Sequence, residues 1–281
     1  MSRILIAGCG FLGESAAAFF CAAGWDVVAL TATPESATRL GPMGFCIDVA
    51  DISSPASLEG VRARHGNFDV VLHCASSGRG GADAYRRVYV EGCAAIRQVF
   101  PEARLLFTSS TSVYAQIDGE WVTEDSPAEP LRDTGRLLLD AEKITLEASG
   151  CVLRLAGLYG PGRSVFLRRF QEGTAILENG GGRWINQIHR DDAARGVLRV
   201  AEAGIPGTIY NVADDRPATQ REVYGWIADF LGKPLPPEGP GDPNRKRGWT
   251  SKRVSNARLR ALSWSPEFSD YCAALPALAA G

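Results

Sequence analysis

Three glycines near the amino end, Gly8, Gly10 and Gly13 in GCGFLG, have the spacing of a phosphate cradle. They follow an apolar run, RILIAG, and open an amphipathic stretch. In that setting Gly8 permits a tight turn, Gly10 lets backbone approach a diphosphate, and Gly13 lets helix and strand pack closely. The helix start then presents free N–H groups and the positive end of its dipole to an anion. The candidate contacts are Gly8, Gly10, Phe11, Leu12 and Gly13. A bare glycine-rich turn is the alternative, and the βα units that follow argue against it.

A cradle of this kind holds a dinucleotide, and the second strand reports which one. A carboxylate at its end would hold a ribose 2′-hydroxyl. Here the strand ends at Leu30 and continues as Thr31, Ala32 and Thr33. No carboxylate would repel a 2′-phosphate and two hydroxyls could bind one, so NADP is favoured over NAD. Arg39 is the nearest basic side chain. Asp48, closing the third strand, is a candidate acceptor for an adenine amino group, or alternatively a helix or turn cap.

The elements that must position these residues alternate from the start. Strands are expected over 3–8, 26–30, 44–48, 68–75, 103–110 and 151–158. Helices are expected over 11–23, 82–100 and 134–149. Near-continuous Val/Ile/Leu runs separated by helices indicate a doubly wound parallel Rossmann sheet. After Gly160 the pattern loosens into a smaller C-terminal α/β lobe for substrate, with a helix over 165–172, a strand over 184–188, a helix over 191–203, a strand over 208–212 and a helix over 220–231. The expected division is residues 1–160 and 161–281, with segments around 184–212 returning to the main sheet.

Composition narrows the function. The 281 residues are 45% hydrophobic and 22% charged, with net charge −2. Nothing here attracts nucleic acid or an anionic membrane in bulk. No apolar run reaches the ~20 residues of a membrane span. Met1 leads into a strand without a secretion signal, so a cytoplasmic location is expected. Five of the seven cysteines (Cys9, Cys21, Cys46, Cys74 and Cys151) lie in apolar segments and read as buried thiols rather than disulfides or zinc ligands. The three histidines make no metal-ligand pattern, and no metal is expected. Asp191 reads as the cap of the helix after His189.

Several motifs come together in one order: GCGFLG, Ile47-Asp48, VLHCAS (71–76), TSSTSVY (108–114), LRLAGLYGPG (153–162), IHRDDAARGV (188–197) and IYNVADDRP (209–217). The chain thereby resembles the extended short-chain dehydrogenase/reductases of the NAD-dependent epimerase/dehydratase type over nearly its whole length. The resemblance implies NAD(P) binding and a small-molecule substrate, in a monomer or a homodimer built through the helices at 82–100 and 134–149. It places Ala75, Ser76 and Leu158 beside the coenzyme, with Gly157, and makes Ser110 a substrate-orienting hydroxyl; a strand-capping serine is the alternative.

The resemblance also identifies what is missing. Gly135 and Glu142 set a register in which the family's catalytic Tyr and Lys fall on Thr134 and Leu138. A phenol starts near pKa ~10 and a nearby cation can bring it into range, whereas an aliphatic alcohol is far too weak an acid. Lys143 lies off that face. Tyr89, where the family often has Asn, is a candidate displaced acid; Tyr114 and Tyr159 are others, and a packed aromatic is the plainer reading of each. On the substrate side the family's diphosphate-gripping Arg falls on Ile185, and Arg183, two residues earlier, is the candidate replacement. A basic cluster of Arg245, Lys246, Arg247, Lys252 and Arg253 reads as a solvated loop or an anion site. The function implied is an oxidoreductase or epimerase/dehydratase-like protein acting on a sugar or other small carbonyl or hydroxyl compound; the alternative is a non-catalytic NADP-binding sensor or partner-binding protein.

Overall fold

Strand β1 (Arg3–Ala7) buries Ile4, Leu5, Ile6 and Ala7 completely, which requires cover on both faces of its sheet. The computed structural model, describing residues 1–78, 80–241 and 250–280, supplies that cover. Beside β1 lie β2 (Asp26–Thr31), β3 (Cys46–Val49), β4 (Val70–His73), β5 (Arg104–Ser110), β6 (Cys151–Leu155) and β7 (Ile209–Val212). They form one parallel sheet in the order β7-β6-β5-β4-β1-β2-β3. The order reverses between β1 and β4; in sheets of this type ligands bind outside the carboxyl ends of the strands at such a point.

Helix α1 (Phe11–Ala22) follows β1, α2 (Pro34–Leu40) follows β2, and α3 (Pro55–His65) follows β3. The single helix expected over 82–100 is instead α4 (Ala82–Tyr85), a π-helical turn (Arg86–Glu91) and α5 (Gly92–Val99). A tertiary bond accompanies the π turn: His73 Nε2 donates to the Val88 carbonyl at 2.8 Å. Gly92 allows the close approach, since a Cβ there would lie 2.9 Å from that nitrogen. π turns often occur at functional sites, and this one carries Tyr89. Helix α6 (Asp133–Glu147) packs against it.

The C-terminal third contributes to two cores. Ile188, Ala193, Val197, Tyr210, Val212 and Leu259 join the main core under the sheet. A second core gathers Tyr159, Leu167, Ile185, Tyr224, Ile227 and Tyr271. Helices α7 (Val165–Gln171), α9 (Gln220–Leu231) and α11 (Tyr271–Ala280) build it, whereas α8 (Arg190–Ala203) and α10 (Ala257–Arg260) lean on the main core. The strand expected over 184–188 divides into Trp184–Ile185 and Gln187–His189. Between them the Asn186 side chain donates to the Lys252 carbonyl and accepts from the Val254 amide. Among the described residues, no helix is long and apolar enough to cross a membrane.

Burial distributes the cysteines less uniformly than the pattern implied. All seven are free thiols; Cys9, Cys93 and Cys151 are buried, but Cys21, Cys46 and Cys272 are exposed. Cys21 and Cys46 therefore correct the expectation of buried thiols.

His73 gives a test of the π turn. Burial lowers its pKa from 6.5 to about 4, against the raising effect of the Val88 carbonyl. The unfolded chain thus binds a proton that the folded chain refuses as pH falls below about 6.5. Stability from this group is complete above that value and fades toward pH 4. His73→Gln keeps a donor for Val88 but does not titrate. Urea denaturation should show wild type losing about 2 kcal/mol more than His73→Gln between about pH 7.5 and pH 5; equal losses would contradict this account.

Candidate coenzyme and active site

Gly8 has φ +110°, and a Cβ there would lie 2.3 Å from the Ala75 nitrogen and Cα. A Cβ on Gly13 would sit 2.4 Å from the Gly8 carbonyl oxygen. Neither position has room for a side chain. Gly10 differs, with nothing within 4 Å of its Cβ position: its backbone faces open space. Backbone bonds fix the turn, with the Gly8 and Cys9 amides donating to Leu30 O and the Gly10 amide to Gly8 O. The first helical bond of α1 runs from the Glu14 amide to Gly10 O at 2.8 Å. The Phe11, Leu12 and Gly13 amides precede that ladder, and no side chain caps the helix.

The loop after β4 forms the opposite wall. Cys74 donates its amide to Ala7 O and its thiol to Gly8 O, which presses Ala75 onto the turn. Ser76 Oγ accepts from the Gly78 amide at 3.1 Å. At the end of β2, buried Thr31 donates to the Thr33 carbonyl, and Thr33 caps α2 by accepting from the Ser36 amide. Arg39 reaches across to Glu14 on α1 at 2.5 Å. The Asp48 carboxylate accepts from Arg64 and His65 through Oδ2 and from the Val49 amide through Oδ1. Partial burial raises its pKa, but those three donors outweigh burial and hold it below the ordinary value. Its partners Arg64 and His65 carry no signal in the sequence that ties them to Asp48. Leu158 lies in the short strand Gly157–Tyr159, pairs with Ile188 and packs against the main core.

At the carboxyl end of β5 the candidate side chains take up local partners. Ser110 ends β5, half-buried, and its Oγ accepts from the Ser112 amide at 3.1 Å, starting a short 3-10 turn over Thr111–Val113. Tyr89 is half-buried against His73, Phe107 and Tyr85, and its hydroxyl accepts from the Ser77 amide at 3.3 Å. Tyr89 therefore reaches the loop after β4, and no hydrogen bond joins it to Ser110 among the described residues. Thr134 is half-buried in the first turn of α6. Leu138 is 5% exposed, within the main core. One turn further, Glu142 accepts from Ser109 at 2.5 Å and pairs with Arg154 at 2.6 Å. Arg154 also donates to the Tyr114 hydroxyl, which donates to Asn211.

This network removes Tyr114 as an acid: it is fully buried, and burial pushes its phenol up despite Arg154. Burial, reinforced by Asp214, raises the Tyr159 phenol much further. Tyr89 is the remaining phenol of the three.

Arg183 directly precedes the strand Trp184–Ile185, and its guanidinium lies 3.9 Å from Glu178. Two more expectations change. Asp191 does not cap α8. His189 does, with Nδ1 accepting from the Asp191 amide, while the Asp191 carboxylate accepts from Ser15 and Arg190. Lys252 is buried rather than solvated, donating to the Tyr114 carbonyl and Thr250, and burial lowers its pKa to about 8 against the raising effect of Glu120. Arg253 stacks over Trp121 and Trp184. Arg245, Lys246 and Arg247 lie outside the described residues. No group of three or more His, Cys, Asp and Glu side chains among the described residues is arranged to hold a metal.

Known proteins show the same architecture. A family model described as the NAD dependent epimerase/dehydratase family matches residues 4–213. Protein YeeZ of Escherichia coli (strain K12) is 28% identical over 247 residues, covering 83% of this chain and 85% of YeeZ. Among solved structures, a Methylobacillus flagellatus protein assigned to the NAD-dependent epimerase/dehydratases superposes with a TM-score of 0.80 at 31% identity, over 99% of this chain and 98% of that one. The dTDP-glucose 4,6-dehydratase of Bacillus anthracis, in complex with NAD, superposes with a TM-score of 0.83 at 19% identity, over 99% and 96%. At that identity the likeness is one of fold.

The three glycines should separate by substitution. Gly10→Ala should leave stability within about 1 kcal/mol and weaken dinucleotide binding about tenfold. Gly8→Ala and Gly13→Ala should each destabilise the fold, since their Cβ atoms meet backbone. Thermal melts with coenzyme titrations check this; equal losses of stability for all three would refute the geometry.

Proposed function

This chain belongs to the NAD dependent epimerase/dehydratase family, and from that premise we propose that it binds NADP or NAD across the turn after β1. The reading extends to chemistry at a hydroxyl or carbonyl carbon of a sugar or similar small molecule. The observation that carries it is the uncapped start of α1, with the Gly10 backbone facing open space and the Ala75 loop walling the other side. The amides of Phe11 and Leu12 would receive the diphosphate, and Ser76 and Leu158 would lie along the coenzyme. Preference for NADP rests on Thr31 and Thr33 at the end of β2, where no carboxylate would repel a 2′-phosphate. Arg39, held nearby by Glu14, is the available cation.

When bound, the coenzyme would supply a hydride acceptor or donor. Ser110 would orient the substrate oxygen from the carboxyl end of β5. Tyr89, whose hydroxyl rests on the Ser77 amide, would hold or deliver that oxygen's proton. Arg183, beside Glu178, would meet an anionic part of the substrate from the smaller core. One observation favours a second reading, a non-catalytic NADP sensor: Leu138 fills core where the family's reading requires a cation.

Turnover separates the two. With NADPH and a panel of keto-sugars and small ketones, the enzyme reading expects measurable turnover. Tyr89→Phe should then lower kcat about 10²–10⁴-fold without changing coenzyme affinity, and Ser110→Ala should raise KM. Tight coenzyme binding without turnover, unaltered by either substitution, would favour the sensor.

A further inference from the structure

Beyond the glycine turn, residues from the far half of the chain converge on the same helix start. The Arg163 and Arg190 guanidiniums lie over the Phe11 ring, at 4.8 and 5.1 Å from its centroid. Two cations on one small ring lie within about 10 Å of each other, roughly one Debye length in 0.1 M salt, and so raise the local positive potential together. Arg190 is held at 3.1 Å by Asp191, which Ser15 of α1 fixes in turn at 2.7 Å. A guanidinium is planar and suited to forked binding of phosphate oxygens.

A third donor lies beside the same ring. His189 is 2% exposed, and its Nδ1 accepts from the Asp191 amide, which leaves the proton on Nε2. That nitrogen has no hydrogen-bond partner among the described residues. It is found where Gly160 meets Phe11 and Arg190: a Cβ on Gly160 would lie 3.2 Å from Phe11 Cζ, 3.2 Å from Arg190 Cβ and 3.5 Å from His189 Nε2. A buried donor without an acceptor is costly.

We propose that Arg163 and Arg190, with His189 Nε2–H, form a clamp for the dinucleotide diphosphate over Phe11, opposite the backbone amides of α1. The clamp rests on the coenzyme reading above and adds to it. Affinity then depends on side chains beyond residue 160, and the loop 160–163 closes onto the ligand that the turn at 8–13 receives. The charge of the diphosphate is met from two sides: by helix-start amides and by guanidiniums.

The test compares three ligands on the full chain: NADPH, ADP and adenosine, by fluorescence or calorimetric titration. Arg163→Gln and Arg190→Gln should each raise the Kd for NADPH and for ADP about tenfold, leave adenosine unchanged and flatten the salt dependence of ADP binding. Because Arg190 also braces Asp191, circular dichroism and melting accompany each variant, and Arg163→Gln decides the question should Arg190→Gln misfold. Kd values for NADPH and ADP within twofold of wild type overturn the clamp. So does an equal loss for adenosine, which would mean a collapsed pocket. A wild type that binds none of the three overturns the coenzyme reading and the clamp together, whereas a wild type that binds with unaltered variants overturns the clamp alone.

Discussion

The close approach at Gly8 governs the rest of the site. Backbone from β1, the start of α1 and the loop after β4 meet where no Cβ fits: Ala75 presses on Gly8, and the Gly8 carbonyl presses on Gly13. That contact sets the direction of α1, and the direction of α1 decides where its first amides point. It also fixes the loop carrying Ser76 and Ser77, and through the Ser77 amide the Tyr89 hydroxyl. Tyr89 in turn stands on a π turn whose Val88 carbonyl is bonded to His73 at the end of β4. The glycine turn and Tyr89 thus share one frame of backbone.

A second frame lies beneath α6. Glu142 and Arg154 form a buried ion pair joined to Ser109, Tyr114 and Asn211. Such a network is strongly destabilised when one partner is removed, because the other charge stays buried. It ties α6 to β5, β6 and β7, and Leu138 on the same helix adds packing in the main core.

Much of this was legible from sequence. The parallel strands could be read because burial on both faces demands unbroken apolar runs, as in Ile4–Ala7. The glycine turn could be read because Gly8 and Gly13 each stand where no Cβ fits. What escaped depends on partners distant in the chain. The π turn needs His73. The break at Asn186 needs the backbone at Lys252 and Val254. Lys252 looked like part of a solvated loop because its neighbours are polar, yet its ammonium is buried beneath Tyr114. His189 was missed as the cap of α8 because caps are expected of Ser, Thr, Asp and Asn. Arg163 and Arg190 gave no local sign of meeting Phe11.

The central claim is that the start of α1 receives a dinucleotide diphosphate. A crystal structure of the protein with NADPH tests it most directly. The account predicts phosphate oxygens within hydrogen-bonding distance of the Phe11 and Leu12 amides, with the adenosine running toward Thr31. A coenzyme bound elsewhere, or crystals soaked at millimolar NADPH that show the turn at 8–13 without ligand, would contradict it.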